Sequence, residues 1–162
     1  MDAAGQGICP KAQLVFRPQH FGAHSSGCHR EKGRLLSILG LGTDIVSVVR
    51  IAEMIQRHED RFLNRCFSEH EVQWVNSRGL GRAASLAGRW AAKEAFLKAL
   101  GRSVTHIPYG DIEVVRSAAG PVSLKLHGKA ALEMDSVGAT GCIVSISHEK
   151  DFAIATVLLQ NS

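Results

Sequence analysis

Gly88-Arg-Trp-Ala-Ala-Lys-Glu-Ala-Phe-Leu-Lys-Ala-Leu-Gly101 constrains this chain more than any other stretch. It holds four alanines and two leucines, no proline and no β-branched residue, and it closes on a glycine. Those features predict a helix with a C-terminal stop. At 100° per residue, Leu86, Trp90, Leu97 and Leu100 fall on one apolar stripe, and Gly88, Ala92, Ala95, Phe96 and Ala99 lie opposite. A helix that is small or apolar nearly all round is buried on more than one side. Yet Arg89, Lys93, Glu94 and Lys98 interrupt it, and Lys93 projects from the middle of the apolar stripe. Either the long basic side chains snorkel to water, or the helix lines a charged cleft. Glu94 and Lys98 are one turn apart, on a flank left open by Ala87 and Ala91.

A chain of 162 residues suits one domain with a sizeable core. The net charge of +4 favours an anionic partner. One tyrosine, two tryptophans and six phenylalanines are too few for rows of base-stacking aromatics, which argues against a nucleic-acid partner. No apolar run is long enough to span a bilayer, so no membrane partner is expected. Cys9, Cys28, Cys66 and Cys142 form no Cys-x-x-Cys pair, which reads as free thiols in a reducing, cytoplasmic compartment.

Residues 1–36 lack sustained periodicity and read as a disordered N-terminal extension. Two sharper readings compete there: a zinc site from Cys9, His24, Cys28 and His29, whose spacing fits no structural pattern well, and an acid-poor segment that targets the chain to an organelle. Residues 37–162 read as the folded domain. Leu35 to Val46 is an apolar strand broken by Gly40 and Gly42, too little to define a phosphate loop. Asp44 stands in that strand, where an unpaired carboxylate would be costly. It either meets a cation, a metal or backbone N–H groups, or caps the next helix, a role for which Ser47 competes.

Val48 to His58 is helical in pattern, with Val48, Ile51, Ala52 and Ile55 inward and Arg50, Glu53, Gln56 and Arg57 outward. Arg50, Arg57, Arg61 and Arg65 make a basic stretch, in the simplest reading a solvated face. Ser68-x-x-Glu71 is a capping box that opens a short helix to about Asn76. After Gly101, Asp111–Arg116 and Val122–Leu126 alternate as strands, Lys129–Asp135 as a short helix, and Cys142–Ser147 and Phe152–Leu159 as strands. Ser147 and His148 then stand at a strand end. The pattern is α+β: a long buried helix packed on a mostly antiparallel sheet.

No Gly-x-Ser-x-Gly, His-Glu-x-x-His or recognisable cysteine–histidine pair is present. Asp44 and Glu94 remain, each planted in an apolar element, with Arg89, Lys93, Lys98 and His148 as basic companions. Two carboxylates suit Mg2+, which keeps waters and borrows ligands from substrate phosphates. Basic residues suit the phosphates themselves. Residue chemistry alone points to metal-assisted phosphoryl chemistry.

Leu39-Gly-Leu-Gly-Thr-Asp-Ile-Val46 with Arg50-Ile51, Ala87 to Phe96 with Lys98 to Gly101, and Val144-Ser-Ile-Ser-His148 resemble, in that order, the holo-[acyl-carrier-protein] synthases. These are the short, single-domain type of the 4′-phosphopantetheinyl transferase superfamily, and the likeness spans residues 37 to 159. The resemblance implies transfer of 4′-phosphopantetheine from coenzyme A to a serine of apo-acyl carrier protein, with adenosine 3′,5′-bisphosphate leaving. It implies Asp44 and Glu94 as Mg2+ ligands, Lys98 on the leaving phosphate, Arg89 and His148 on coenzyme A phosphates, and Glu94 as the route for the serine proton. Arg50, extended by Arg57, Arg61 and Arg65, would meet the acidic carrier protein of fatty-acid or polyketide synthesis. The resemblance further implies a homotrimer with active sites between subunits. Ser47 stands where relatives often carry an acidic residue, and Lys93 has no assigned role. A Mg2+-dependent phosphodiesterase acting on coenzyme A or a nucleotide would use similar carboxylates, and a non-catalytic module for acidic proteins would use the same arginines.

Overall fold

The structure, a computed structural model, describes residues 37–77, 79–101, 107–116 and 120–161. The expectations for residues 1–36, including both sharper readings and the strand start at Leu35, lie outside the described residues. The elements run β1 (Ser37–Ser47), α1 (Val48–Cys66), α2 (Glu69–Asn76), α3 (Arg82–Ala99), β2 (Ile112–Arg116), β3 (Val122–Leu126), α4 (Gly128–Ser136), β4 (Gly141–Glu149) and β5 (Phe152–Asn161). Short 3-10 turns at Gly79–Gly81 and Tyr109–Asp111 lead into α3 and β2.

α3 is the axis. Leu86, Ala87, Ala91, Ala92, Ala95 and Phe96 are fully buried on different sides of it, and Gly101 ends the run with φ +67°. β1 can lie against this helix because Gly40 and Gly42 face it. A Cβ at Gly40 would stand 1.9 Å from the Ala99 carbonyl oxygen, and one at Gly42 2.0 Å from that of Ala95. Both glycines therefore serve close helix–strand packing, not a phosphate loop. By the two-residue repeat of a strand, Asp44 and buried Val46 share that face.

β1, β5 and β4 form an antiparallel sheet in that order, with Asp44 opposite Ala155 and Val144 opposite Val157. Its inner face presents Ala153, Ala155, Val157 and Leu159 of β5, all fully buried. Its outer face leaves Leu41, Ile45, Ile143, Phe152 and Ile154 exposed. β2 and β3 form a separate antiparallel pair. The α+β class holds; the expected sheet is two sheets, because β2 and β3 pair with each other rather than with β4 or β5.

α1 decides the cap that the sequence left open and departs from expectation in two ways. Ser47, not Asp44, caps it, its hydroxyl accepting from the Arg50 N–H at 3.3 Å. The helix kinks at His58 (φ −143°, ψ 32°), where the sequence pattern ends, but resumes to Cys66. Ala52, expected inward, is exposed. The capping box of α2 is present in both directions, and its Glu71 is fully buried. β4 runs on to Glu149, which places His148 within the strand rather than beyond it. Among the described residues no helix is long and apolar enough to cross a membrane.

Candidate active site

Two groups of side chains gather on different faces of α3. The first joins β1 to the C-terminal half of the helix. Lys98 Nζ lies 2.7 Å from Asp44 Oδ1 and donates to the Thr43 carbonyl at 3.0 Å. Asp44 is mostly buried and Lys98 half-exposed. Lys98 stands in the last turn of α3, where the helix dipole favours a cation. Glu94, one turn earlier, accepts a hydrogen bond from the Tyr109 hydroxyl. Burial first, then this hydrogen bond and the Glu94 charge, with smaller contributions from Cys66 and Asp44, push the Tyr109 phenol well above its ordinary value. The phenol is thus a standing donor to Glu94.

The second group lies toward the other half of α3. Arg89, five residues before Glu94, points about 140° away from it on a 100° helix. Its guanidinium sits 4.0 Å over the Trp74 ring and donates to the Ser85 carbonyl at 3.2 Å. Arg89, Trp74, Arg116 and His148 line a cavity of about 150 Å3 whose walls include Gly88, Val114 and Ile146. The structure therefore pairs Asp44 with Lys98, sets Glu94 one helical turn from Lys98, and brings Arg89 and His148 to one cavity.

Lys93 neither snorkels nor enters a cleft. It is fully buried, with Nζ donating to Glu71 Oε2 at 2.7 Å and to the Tyr109 carbonyl at 3.0 Å. Burial holds its ammonium below the ordinary lysine value, against the opposing pull of Glu71. Glu71 in turn accepts from the Ser68 and Val114 N–H groups, at 2.9 and 3.1 Å. This pair ties α2, α3 and β2 behind the site.

The family model of the 4′-phosphopantetheinyl transferase superfamily matches residues 40–157. The chain belongs to this superfamily. It is 44% identical to the holo-[acyl-carrier-protein] synthase of Gloeobacter violaceus over 72% of its own length and 89% of the relative's. It is 45% identical to that of Nitratidesulfovibrio vulgaris over 76% and 99% of the two lengths. Its fold is similar to that of the ACPS–CoA complex of Chronobacterium ammoniagenes, with TM-score 0.67 and 32% identity over 80% of this chain and 99% of that one. The chain is thus an enzyme, a phosphopantetheinyl transferase of the holo-[acyl-carrier-protein] synthase type.

In this transferase Arg50, Arg57, Arg61 and Arg65 are all exposed on α1. Arg57 lies 4.0 Å from Glu53 in a loose surface pair. Arg61, Arg65 and His58 rim a cavity of about 400 Å3 floored by Met54, Phe62, Cys66, Trp90 and Tyr109. Trp90 stacks between Phe62 and Tyr109, with ring centroids 5.5 and 5.0 Å away.

Sequence reasoning missed Tyr109, Arg116 and a cluster on β2. Glu113 Oε1 accepts from the Ser68 hydroxyl at 3.2 Å and lies 3.2 Å from His70 Nδ1, while Oε2 lies 3.1 Å from His127 Nε2. Burial pushes the Glu113 carboxyl up, but the bonds from His127 and Ser68 and the charges of His70 and Lys125 outweigh it and hold the group below its ordinary value. No local signal marks Tyr109. The alternation of Asp111–Arg116 could have flagged Glu113 as a carboxylate on a buried strand, but not its partners.

Proposed function

We propose that this transferase moves 4′-phosphopantetheine from coenzyme A to a serine hydroxyl of apo-acyl carrier protein, releasing adenosine 3′,5′-bisphosphate. The observation that carries the reading is the Asp44–Lys98 pair between β1 and α3, with Glu94 one helical turn from Lys98 on the same flank of the helix and held by Tyr109. Among the described residues no group of three or more His, Cys, Asp or Glu side chains could hold a metal ion. Two carboxylates fit Mg2+, which completes its shell with waters and substrate phosphates. Asp44 and Glu94 would hold it, and when bound it supplies polarisation of the phosphoryl oxygen and neutralisation of developing charge.

The residues of the chain do the remainder. Glu94 takes the serine proton, directly or through a water, as the serine oxygen–phosphorus bond forms. The bond from that phosphorus to the leaving adenosine bisphosphate breaks, and Lys98 meets the phosphate that departs. Arg89 and His148, across their cavity, hold other phosphates of coenzyme A. Arg50, Arg57 and Arg65, with Arg61, steer the acidic carrier protein onto α1, beside the aromatic-floored cavity that reaches Tyr109.

The homotrimer that the family resemblance implies is supported by two features. Leu41, Ile45, Ile143, Phe152 and Ile154 leave the outer sheet face apolar and uncovered, and the two charged groups lie on different faces of α3. Packing against further copies of the chain buries that face and sets the Asp44 group of one subunit opposite the Arg89 group of the next. Sedimentation as a monomer at assay concentration would contradict this. Residues 37–162 constitute the transferase domain, and a reducing, cytoplasmic setting agrees with Cys66 and Cys142 as free thiols; imaging of a tagged full chain checks the compartment.

The decisive variants are Asp44→Asn and Glu94→Gln. Each should abolish transfer while leaving the thermal midpoint unchanged, and activity retained by either refutes the shared-cation assignment. A phosphodiesterase would instead cleave coenzyme A with no carrier present.

A further inference from the structure

We infer that Tyr109 is the positioning residue for Glu94: a phenol clamped at its ring and its backbone, whose hydroxyl fixes one carboxylate oxygen and leaves the other turned to the reacting groups. The inference rests on the reading of Asp44 and Glu94 as the cation-holding pair.

Three contacts clamp the phenol. Its ring stacks on Trp90 at 5.0 Å and 26°, and Trp90 stacks on Phe62 at 5.5 Å and 27°. Its carbonyl accepts from Lys93 Nζ at 3.0 Å. Its 3-10 turn closes through the Asp111 N–H donating to the Pro108 carbonyl at 3.0 Å. Lys93 is itself immobilised by Glu71 at 2.7 Å, and Glu71 by the N–H groups of Ser68 and Val114. A rigid path thus runs from the capping box of α2 to the Tyr109 hydroxyl, which donates to Glu94 Oε1.

The geometry matters because glutamate turns about three bonds, and a cation held by only two carboxylates depends on each being aimed beforehand. Hydrogen bonds from neighbouring groups do that for ligating carboxylates, and losing one costs about 10–100-fold in metal affinity or activity. The hydroxyl contributes little to packing, since phenylalanine would stack on Trp90 equally well. Tyr109→Phe therefore isolates the hydroxyl.

The test uses the full chain with Mn2+ as the probe, free Mn2+ being read by electron paramagnetic resonance. The wild type should bind Mn2+ in a manner lost in both Asp44→Asn and Glu94→Gln. Tyr109→Phe should bind about 10-fold more weakly, at an unchanged thermal midpoint. Its kcat should fall and recover as Mg2+ is raised, with KM for the carrier protein unchanged. Wild-type Mn2+ affinity in Tyr109→Phe overturns the inference alone, as does unchanged affinity with a lowered thermal midpoint, which assigns the hydroxyl to packing. Wild-type binding that ignores both carboxylate variants overturns the two-carboxylate reading, and this inference with it.

Discussion

Lys98 Nζ stands 2.7 Å from Asp44 Oδ1, so in this structure the cation that meets the strand carboxylate comes from α3 itself. Were Asp44 to hold a divalent ion, Lys98 would be free to turn toward a phosphate. Lys98→Met should therefore bind Mn2+ at least as tightly as the wild type while kcat falls about 10²–10³-fold. Titration of Mn2+ beside steady-state kinetics checks both halves; weaker Mn2+ binding would make Lys98 part of the cation site's support.

The buried Lys93–Glu71 pair yields a stability prediction. Removing one partner leaves an uncompensated charge in the core. Lys93→Met should lower unfolding free energy by about 3–5 kcal/mol in urea titrations. Glu71→Gln combined with Lys93→Met should recover part of that loss, because no lone charge remains. Full recovery is not expected, since Glu71 also accepts from the Ser68 and Val114 N–H groups.

Glu113 carries a pH signature. Its folded-state carboxyl lies below the ordinary value of 4.5, so its stabilisation is present above that pH and is lost as pH falls through the lower, folded value. Glu113→Gln should be less stable than the wild type near neutrality, and the two should converge on acidification below about pH 4.5. Thermal midpoints measured across that range read the difference, and a gap that persists in acid would contradict the assignment.

Gly42 tests the central packing. A Cβ there meets the Ala95 carbonyl at 2.0 Å, whereas one at Gly81 has nothing within 4 Å. Gly42→Ala should lower stability by several kcal/mol, as overpacked backbone does, and Gly81→Ala should leave it nearly unchanged. Equal thermal midpoints for the two would remove the close approach as the reason for the glycine.

The basic face of α1 is read through kinetics. Arg50→Glu should raise KM for the carrier protein with KM for coenzyme A unchanged, and the effect should shrink as salt is added. Equal loss on both substrates would argue against a carrier-facing role.

Much of this architecture is legible in the sequence where the cause is local. The composition of residues 88–101 specifies α3, and Ser68-x-x-Glu71 specifies the start of α2, because propensity and capping act within a turn or two. The restart of α1 after His58 is not legible, since the kink breaks the helical period on which the reading depends. Asp44 and Glu94 are visible as carboxylates in apolar elements, but Lys93 is not assignable. Its partner Glu71 is 22 residues away and already explained by its cap. Tyr109 is hidden for the same reason: only folding brings its ring to Trp90 and its hydroxyl to Glu94.

The most direct test of the account is intact mass spectrometry of an apo-acyl carrier protein incubated with this transferase, coenzyme A and Mg2+. The account predicts that the carrier gains one phosphopantetheine on a serine and that adenosine 3′,5′-bisphosphate appears in equal amount. It further predicts that neither product forms with Asp44→Asn or Glu94→Gln. An unmodified carrier, or coenzyme A cleaved without any adduct on the carrier, would contradict it.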